Sequence, residues 1–207
     1  MKVENYFQTP IYIFEKPEWV KETIKATDPY IKEAIKLNKP NFYKNKDLGL
    51  VHHSKPITKE SKLIKFTEFV GTTAMNILND QGYNMSLYNL FINEMWVQEF
   101  PKDGGGHHPP HNHWNGHISG FYFLKCSNKT SYPVFYDPRS GKSMNMLKQK
   151  DVSKLTYSTE QVHFKIKPGT LLFFNSYLTH EFVFDKGIEP FRFIHFNIQA
   201  TDKNHAI

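Results

Sequence analysis

The sequence predicts a mostly β fold of the α+β class, with its helices confined to the N-terminal third. The 207-residue chain is rich in aromatic residues, including 18 Phe and 11 Tyr, which favour pleated, half-buried surfaces. Apolar residues recur at helical spacing before residue 80, whereas short apolar segments separated by turn residues follow residue 86. We expect a single domain over 1–207, with an N-terminal strand and supporting helices at 1–85 and a sheet-rich core at 86–200.

The N-terminal third contains one predicted strand and two helical regions. Residues 5–14 alternate between apolar and polar side chains, which predicts a strand. From Glu18 to Leu37 the apolar spacing is helical, but Asp28-Pro29 is typical of a cap followed by a first helical residue. This region is therefore predicted to form two short helices or one broken helix. Residues 58–79 form the clearest helix, because their apolar positions follow steps of three and four.

The rest of the chain predicts strands at short intervals. Turn residues separate the segments, and a polar stretch at 139–160 interrupts their order. Such spacing is typical of an antiparallel sandwich or barrel, with the helices packed outside it. The predicted strands lie at 86–100 (one or two strands), 116–125, 132–136, 161–166, 170–175, 179–184 and 191–199.

Composition and charge exclude several classes of protein. A single cysteine, Cys126, excludes a disulfide framework and a cysteine-rich zinc finger. No apolar run is long enough for a signal peptide or a membrane span, so we expect a cytoplasmic protein without a membrane partner. The formal charge is +6, but the lysines are dispersed, which disfavours nucleic acid as a partner. The oligomeric state is left open.

The histidines are the densest chemical feature. Five of the 11 histidines lie within residues 104–117, and His111 and His113 form an H-x-H pair. On an extended strand, residues i and i+2 project to one face, so both imidazoles can reach one cation. His180, at the start of an apolar strand, is the third candidate ligand. His117 has the same parity as His113 and is a rival ligand.

The remaining histidines lack ligand spacing. His107 and His108 are adjacent, so on an extended chain they point in opposite directions, and we expect them to contact substrate, form a lid or support the ligands. The others are expected to be surface or core residues: His52, His53, His163, His195 and His205.

Arg192 is one of only two arginines in the chain and lies in an otherwise aromatic strand. A buried charge pointing inward has to be paired, and its strand offers no acidic partner. Because guanidinium groups bind carboxylates in a bidentate manner, Arg192 predicts a ligand that carries a carboxylate. An outward-facing surface arginine is the alternative.

Taken together, these motifs resemble the iron(II)- and 2-oxoglutarate-dependent dioxygenases over about residues 90–200. More narrowly, the chain is similar to uncharacterised oxygenase-like proteins with an H-x-H-x5-S-G motif. The motifs that carry the resemblance are His111-Asn112-His113, Ser119-Gly120, Asp137-Pro138-Arg139, Lys167-Pro168-Gly169 leading to His180, Arg192 and Phe196-Asn197.

The resemblance implies a fold, a cofactor set and a reaction. The fold would be a double-stranded β-helix, or jelly roll, flanked by helices. Fe(II) would be held by three histidines, and 2-oxoglutarate and O2 would be consumed as a substrate is hydroxylated, with ascorbate as the reductant in vitro. The implied site residues are His111, His113 and His180 for the metal and catalysis, Arg192 for the distal carboxylate of the cosubstrate, and Tyr122 or Ser119 as further cosubstrate contacts.

One departure from the family pattern keeps other functions open. His113 stands where the common triad has a carboxylate, and an all-histidine site also suits zinc. The alternatives are a cupin-like protein, a zinc-dependent metalloenzyme, and a non-catalytic binding module that keeps a metal-like pocket. The substrate is expected to be a small molecule, a protein or a peptide, and the sequence does not identify it.

Overall fold

The computed structural model describes residues 1–4, 6–42, 50–139, 141–145 and 147–204. Within these residues there are two α-helices, α1 (Val20–Phe42) and α2 (Ile64–Asp80), and four short 3-10 helices, Pro17–Trp19, Ser61–Leu63, Met85–Leu87 and Lys142–Asn145. The ten strands are β1 (Ile11–Glu15), β2 (His52–His53), β3 (Tyr88–Phe100), β4 (Gly106–His111), β5 (Ile118–Lys125), β6 (Pro133–Tyr136), β7 (Gln161–His163), β8 (Thr170–Asn175), β9 (His180–Asp185) and β10 (Phe191–Asp202).

The strands form two antiparallel sheets that face each other. The larger sheet has the order β1-β8-β5-β10-β3-β2, and the smaller has the order β4-β9-β6-β7. This arrangement confirms the predicted jelly roll with N-terminal helices. The space between the sheets is filled by an interior cluster of buried apolar side chains: Phe100, Phe121, Phe123, Phe135, Leu172, Phe174, Leu178, Phe182, Phe191 and Phe193.

Both helices cover the outer face of the larger sheet, opposite the interior cluster. Along β10, Phe191 and Phe193 join the interior cluster, whereas Ile194 and Phe196 pack against the helical layer. This alternation follows from the two-residue period of a strand. Because of it, a shift of one position along β10 decides whether a side chain enters the jelly roll or meets the helices.

The predicted break at Asp28-Pro29 is wrong, since α1 runs through both residues as one helix. Proline has no N–H to donate to the preceding turn, which weakens a helix locally. Ala26 and Ile31, on either side of the proline, are 2% and 1% exposed and pack in the helix-facing core. Burial of this apolar face stabilises the helix despite the proline, because tertiary packing supplies most helical stability in proteins.

Strand β4 is the main element that the sequence pattern did not reveal. It carries Pro109 and Pro110, and proline cannot donate a backbone hydrogen bond to a neighbouring strand. Its pairing with β9 accordingly shifts register between Gly106 and His108 and again between His108 and His111. The predicted strand at 170–175 coincides with β8, whereas the one at 5–14 overlaps β1 only over 11–14 and the one at 161–166 extends past the end of β7. The short strand β2 was not predicted.

No helix within the described residues is long and apolar enough to cross a membrane.

Gly120 of β5 provides a test of the packing between the layers. A Cβ atom there would collide with the Phe196 ring and the Leu172 carbonyl oxygen. We expect Gly120→Ala to lower the free energy of unfolding by about 1–3 kcal/mol, because close-packed cores resist added methyl groups. Gly141→Ala is the matched control, since a Cβ at Gly141 has no atom of a described residue within 4 Å. Urea unfolding of both variants measures the difference, and equal stabilities would contradict the packing described.

Candidate metal centre

Three histidines meet at one end of the antiparallel β4–β9 pair. His111, the last residue of β4, is the register partner of His180, the first residue of β9. His113 lies two residues beyond β4, where its N–H donates to the Ser176 carbonyl oxygen at 2.9 Å. One ring nitrogen from each histidine lies within 4.8 Å of those of the other two. The set can therefore reach a single cation.

The backbone orients two of these imidazoles. Nδ1 of His111 lies 2.7 Å from the Pro109 carbonyl oxygen, and Nδ1 of His180 lies 2.9 Å from the Leu178 carbonyl oxygen. Donation from Nδ1 fixes the tautomer in which Nε2 keeps its lone pair, as in many histidine metal sites. The Nε2 atoms of His113 and His180 are buried and have no hydrogen-bond partner among the described residues. Because buried polar atoms are normally paired, these free nitrogens fit a bound metal ion.

The electrostatics of the site favour neutral imidazoles. Burial, with a smaller contribution from neighbouring histidines, lowers the pKa of His113 to about 4 and that of His180 to about 3. The pKa of His195 also lies well below its usual value, mainly because the ring is fully buried. At neutral pH these rings carry no proton on the second nitrogen, so no proton has to be displaced when a metal binds.

A second set of potential ligands overlaps the first. Glu94, His113 and His195 also place one ligand atom each within 4.8 Å of the others. His195 is expected from the sequence to be a surface or core histidine, and at 1% exposure it is buried. Its position beside His113, at 4.6 Å between ring centroids, and the involvement of Glu94 were not predicted. Finding them requires the β3–β10 register, in which Glu94 faces Asn197.

A chain of hydrogen bonds supports this second set. Ser119 Oγ lies 2.8 Å from Ser176 Oγ and donates to Asn197 Oδ1 at 2.5 Å. Asn197 Nδ2 in turn donates to Glu94 Oε2 at 2.7 Å. Ser119 therefore lies on the interior side, and its hydroxyl orients the amide that holds Glu94. Contact between Ser119 and a cosubstrate stays a prediction.

Arg192 lies on the opposite face of β10 from His195. Its Nε donates to Glu99 Oε2 at 2.7 Å and its Nη1 donates to Asp28 Oδ1 at 2.6 Å. Its own strand was expected to offer no acidic partner, and the two carboxylates that bind it come from β3 and α1 instead. In this arrangement Arg192 holds the helical layer to the sheet and does not face the histidines.

Tyr122 is placed in the same way, on the helix-facing side of β5. Its hydroxyl donates to the Lys16 carbonyl oxygen at 2.7 Å, and its ring lies 5.3 Å from that of Phe66 in α2. The side chain does not reach the three histidines, so the expected contact with a cosubstrate finds no support in this arrangement.

The other histidines stay outside both sets. His117 was the rival candidate ligand, but its Nδ1 accepts a hydrogen bond from the Ala200 N–H at 3.1 Å. This nitrogen is therefore not free to bind a metal ion. The His108 ring is stacked with that of Phe100, and the His107 ring lies 6.2 Å from that of Phe184. His205 lies outside the described residues.

A cavity of about 390 Å³ reaches the metal centre from the protein surface at His113. Aromatic and amide side chains surround its opening, and Trp114 is 89% exposed. Its lining includes Tyr83, Tyr88, Asn112, Trp114, Asn175 and Tyr177. This cavity offers a route by which a ligand could approach His113.

The sequence matches one family and the fold matches several solved structures. Residues 94–197, about half of the chain, match the family described as "Putative 2OG-Fe(II) oxygenase". No curated protein matches the sequence.

Among solved structures, the fold is similar to that of a Pseudomonas putida prolyl-4-hydroxylase, with 10% identity, a TM-score of 0.57 and coverage of 92% of this chain and 93% of that one. It is also similar to the non-heme alpha ketoglutarate dependent carbocyclase SnoK from nogalamycin biosynthesis, with 9% identity, a TM-score of 0.60 and coverage of 96% and 83%. At these identities the likeness concerns the fold.

A third match is shorter. The chain spans 55% of an oxidoreductase of the 2OG-Fe(II) oxygenase family from Burkholderia pseudomallei, over 67% of its own length, with 10% identity and a TM-score of 0.45.

The two arginines allow a test of the Arg192 ion pairs. We expect Arg192→Ala to lower the free energy of unfolding by about 3 kcal/mol, because it leaves the buried Glu99 with only Lys125 as a partner. Arg139→Ala, which removes an exposed pair with Asp137, should cost much less. Urea unfolding gives both values, and equal losses would show that the Arg192 pairs contribute little.

Proposed function

Because the chain belongs to the 2OG-Fe(II) oxygenase family, we propose that it is an iron(II)- and 2-oxoglutarate-dependent oxygenase that hydroxylates its substrate. The observation that carries this proposal is the convergence of His111, His113 and His180, with two buried Nε2 atoms left unpartnered. Iron(II) held by these histidines would supply the redox chemistry with which the family couples O2 and 2-oxoglutarate to the oxidation of a substrate.

The chain's own residues prepare this site in two ways. Hydrogen bonds from Nδ1 of His111 and His180 to backbone carbonyls aim the opposite nitrogens at one point. Aromatic rings then enclose His180, with centroids 4.9 Å away for Phe174 and 5.4 Å away for Phe121. These rings exclude water from the inner side, which strengthens electrostatic interactions within the site.

The residues present fit 2-oxoglutarate less well than they fit iron. A distal carboxylate is best held by a cation inside the jelly roll, but Arg192 points to the helical layer, where two carboxylates hold it. The interior positions of β5, β8, β9 and β10 contain neither lysine nor arginine. The side chains at these positions are Ser119, Phe121, Phe123, Leu172, Phe174, His180, Phe182, Phe191, Phe193, His195 and Asn197.

We place the substrate in the cavity at His113, which is the open side of the metal centre. Exposed rings such as Trp114 and Tyr177 at its opening suit a ligand with flat apolar surfaces. Asn112 and Asn175 add donors and acceptors. A peptide or a small polar molecule fits this combination.

A zinc-dependent hydrolase or lyase is the second candidate function. Two observations favour it: the first ligand set is all histidine, and no cation faces the interior of the four strands named above. Zinc accepts three histidines and keeps a position open for a water molecule, whose pKa it lowers.

Succinate formation distinguishes the two candidates. We expect purified protein with Fe(II), ascorbate and 2-oxoglutarate to release succinate above the level without protein, and His180→Ala to abolish that release because it removes a ligand. His163→Ala, a change at an exposed histidine outside both sets, should leave it unchanged. Tight zinc binding without any succinate from the iron-loaded protein would favour the hydrolase or lyase.

The same assay tests the position of Arg192. Measured where the variant is folded, Arg192→Ala should leave the dependence of succinate release on 2-oxoglutarate concentration unchanged, because the guanidinium does not face the metal centre. A large rise in the concentration required would instead show that Arg192 holds the cosubstrate.

A further inference from the structure

We propose that Glu94, His113 and His195 form a second metal position, which overlaps the three-histidine position through His113. His113 is shared with the H-x-H…H motif, whereas Glu94 of β3 and His195 of β10 lie outside that motif. The inference rests on the proposed function only in taking iron as the native ion. As a site for a divalent cation, it is tested without turnover.

His195 is the first reason for the proposal. Its side chain is 1% exposed, and neither Nδ1 nor Nε2 has a hydrogen-bond partner in the part of the chain that the structure describes. Leaving a buried polar group unpaired costs about 1–3 kcal/mol, so such groups are rare in folded proteins. A metal in the three-histidine position would not engage His195. A metal shared with Glu94 and His113 would.

Neighbouring rings and the pairing of its strand hold the His195 side chain in one position. Its ring lies 4.6 Å from the Trp96 ring on one side and 4.6 Å from the His113 ring on another. The register of β3 and β10 pairs His195 with Trp96, so the backbone itself fixes this position. A ring packed in this way keeps a nitrogen within reach of the ligand atoms of Glu94 and His113.

Glu94 is the second reason. It faces the interior from β3, and one carboxylate oxygen accepts from Asn197 Nδ2 at 2.7 Å. This contact orients the carboxylate as supporting residues orient metal ligands elsewhere. A divalent ion among three neutral histidines keeps its full charge in an apolar cavity, whereas Glu94 offsets one unit of that charge. Two histidines and a carboxylate are also the ligand set that non-haem Fe(II) oxygenases use.

The two positions exclude each other. A neutral imidazole has one lone pair to give, and His113 belongs to both sets. The chain should therefore bind one ion, either with His111 and His180 or with Glu94 and His195. Removal of His180 should leave the second position intact.

The test is a titration of the metal-free full-length protein with Co(II), without O2 or 2-oxoglutarate. Calorimetry and elemental analysis measure the ions bound per chain, and far-UV circular dichroism checks folding. We expect His180→Ala to keep one Co(II) per chain, and the double variants His180→Ala/Glu94→Gln and His180→Ala/His195→Ala to keep none. His111→Ala provides a second background at a less buried position, in case His180→Ala fails to fold.

Glu181→Gln is the matched control, because Glu181 adjoins His180 but its carboxylate accepts from the Tyr136 hydroxyl and belongs to neither set. Added to His180→Ala, it should not reduce Co(II) binding. The proposal is overturned if folded His180→Ala and His111→Ala bind no Co(II), or if the double variants bind it as well as His180→Ala does. Since the titration involves no turnover, a protein that binds Co(II) as expected but releases no succinate refutes only the proposed function.

Discussion

The alternation of side chains along β10 is the constraint on which the site depends. Odd positions from Phe191 to Asn197 enter the jelly roll, and even positions meet the helices. His195 and Arg192 lie three residues apart and therefore belong to different layers, one beside His113 and the other between Glu99 and Asp28. The register shift beside Arg192 adds a residue to β5 and none to β10, whose pairing with β3 is unbroken from Phe191 to Asn197. The pleat of β10 therefore keeps the two side chains on opposite faces.

The pairing of β4 with β9 builds the metal centre on this frame. Two prolines interrupt the ladder and leave His111 opposite His180 at the edge of the smaller sheet. Near this edge, the carbonyl oxygens of Pro109 and Leu178 accept hydrogen bonds from Nδ1 of His111 and His180. These hydrogen bonds set the tautomers of the two ligands. The irregular strand thus serves both to end the sheet and to orient the ligands, as bulges near active sites commonly do.

The interior cluster of phenylalanines determines the electrostatics of the centre. Aromatic rings packed around His180 and His195 remove water, and the pKa of each histidine falls because the charged form loses its hydration. The interior positions of β5, β8, β9 and β10 contain no cation that could hold a distal carboxylate. The residues present therefore fit a metal ion better than they fit 2-oxoglutarate.

The sequence by itself determined the fold class, the order of most strands and the histidines at 111, 113 and 180, because apolar periodicity and H-x-H spacing are local patterns. Only the tertiary structure decided the rest. The run of α1 through Pro29, the direction of Arg192 and Tyr122, and the convergence of Glu94 with His195 depend on which strands pair and in what register. Register joins residues about a hundred positions apart, and moving it by one residue exchanges the two faces of a strand.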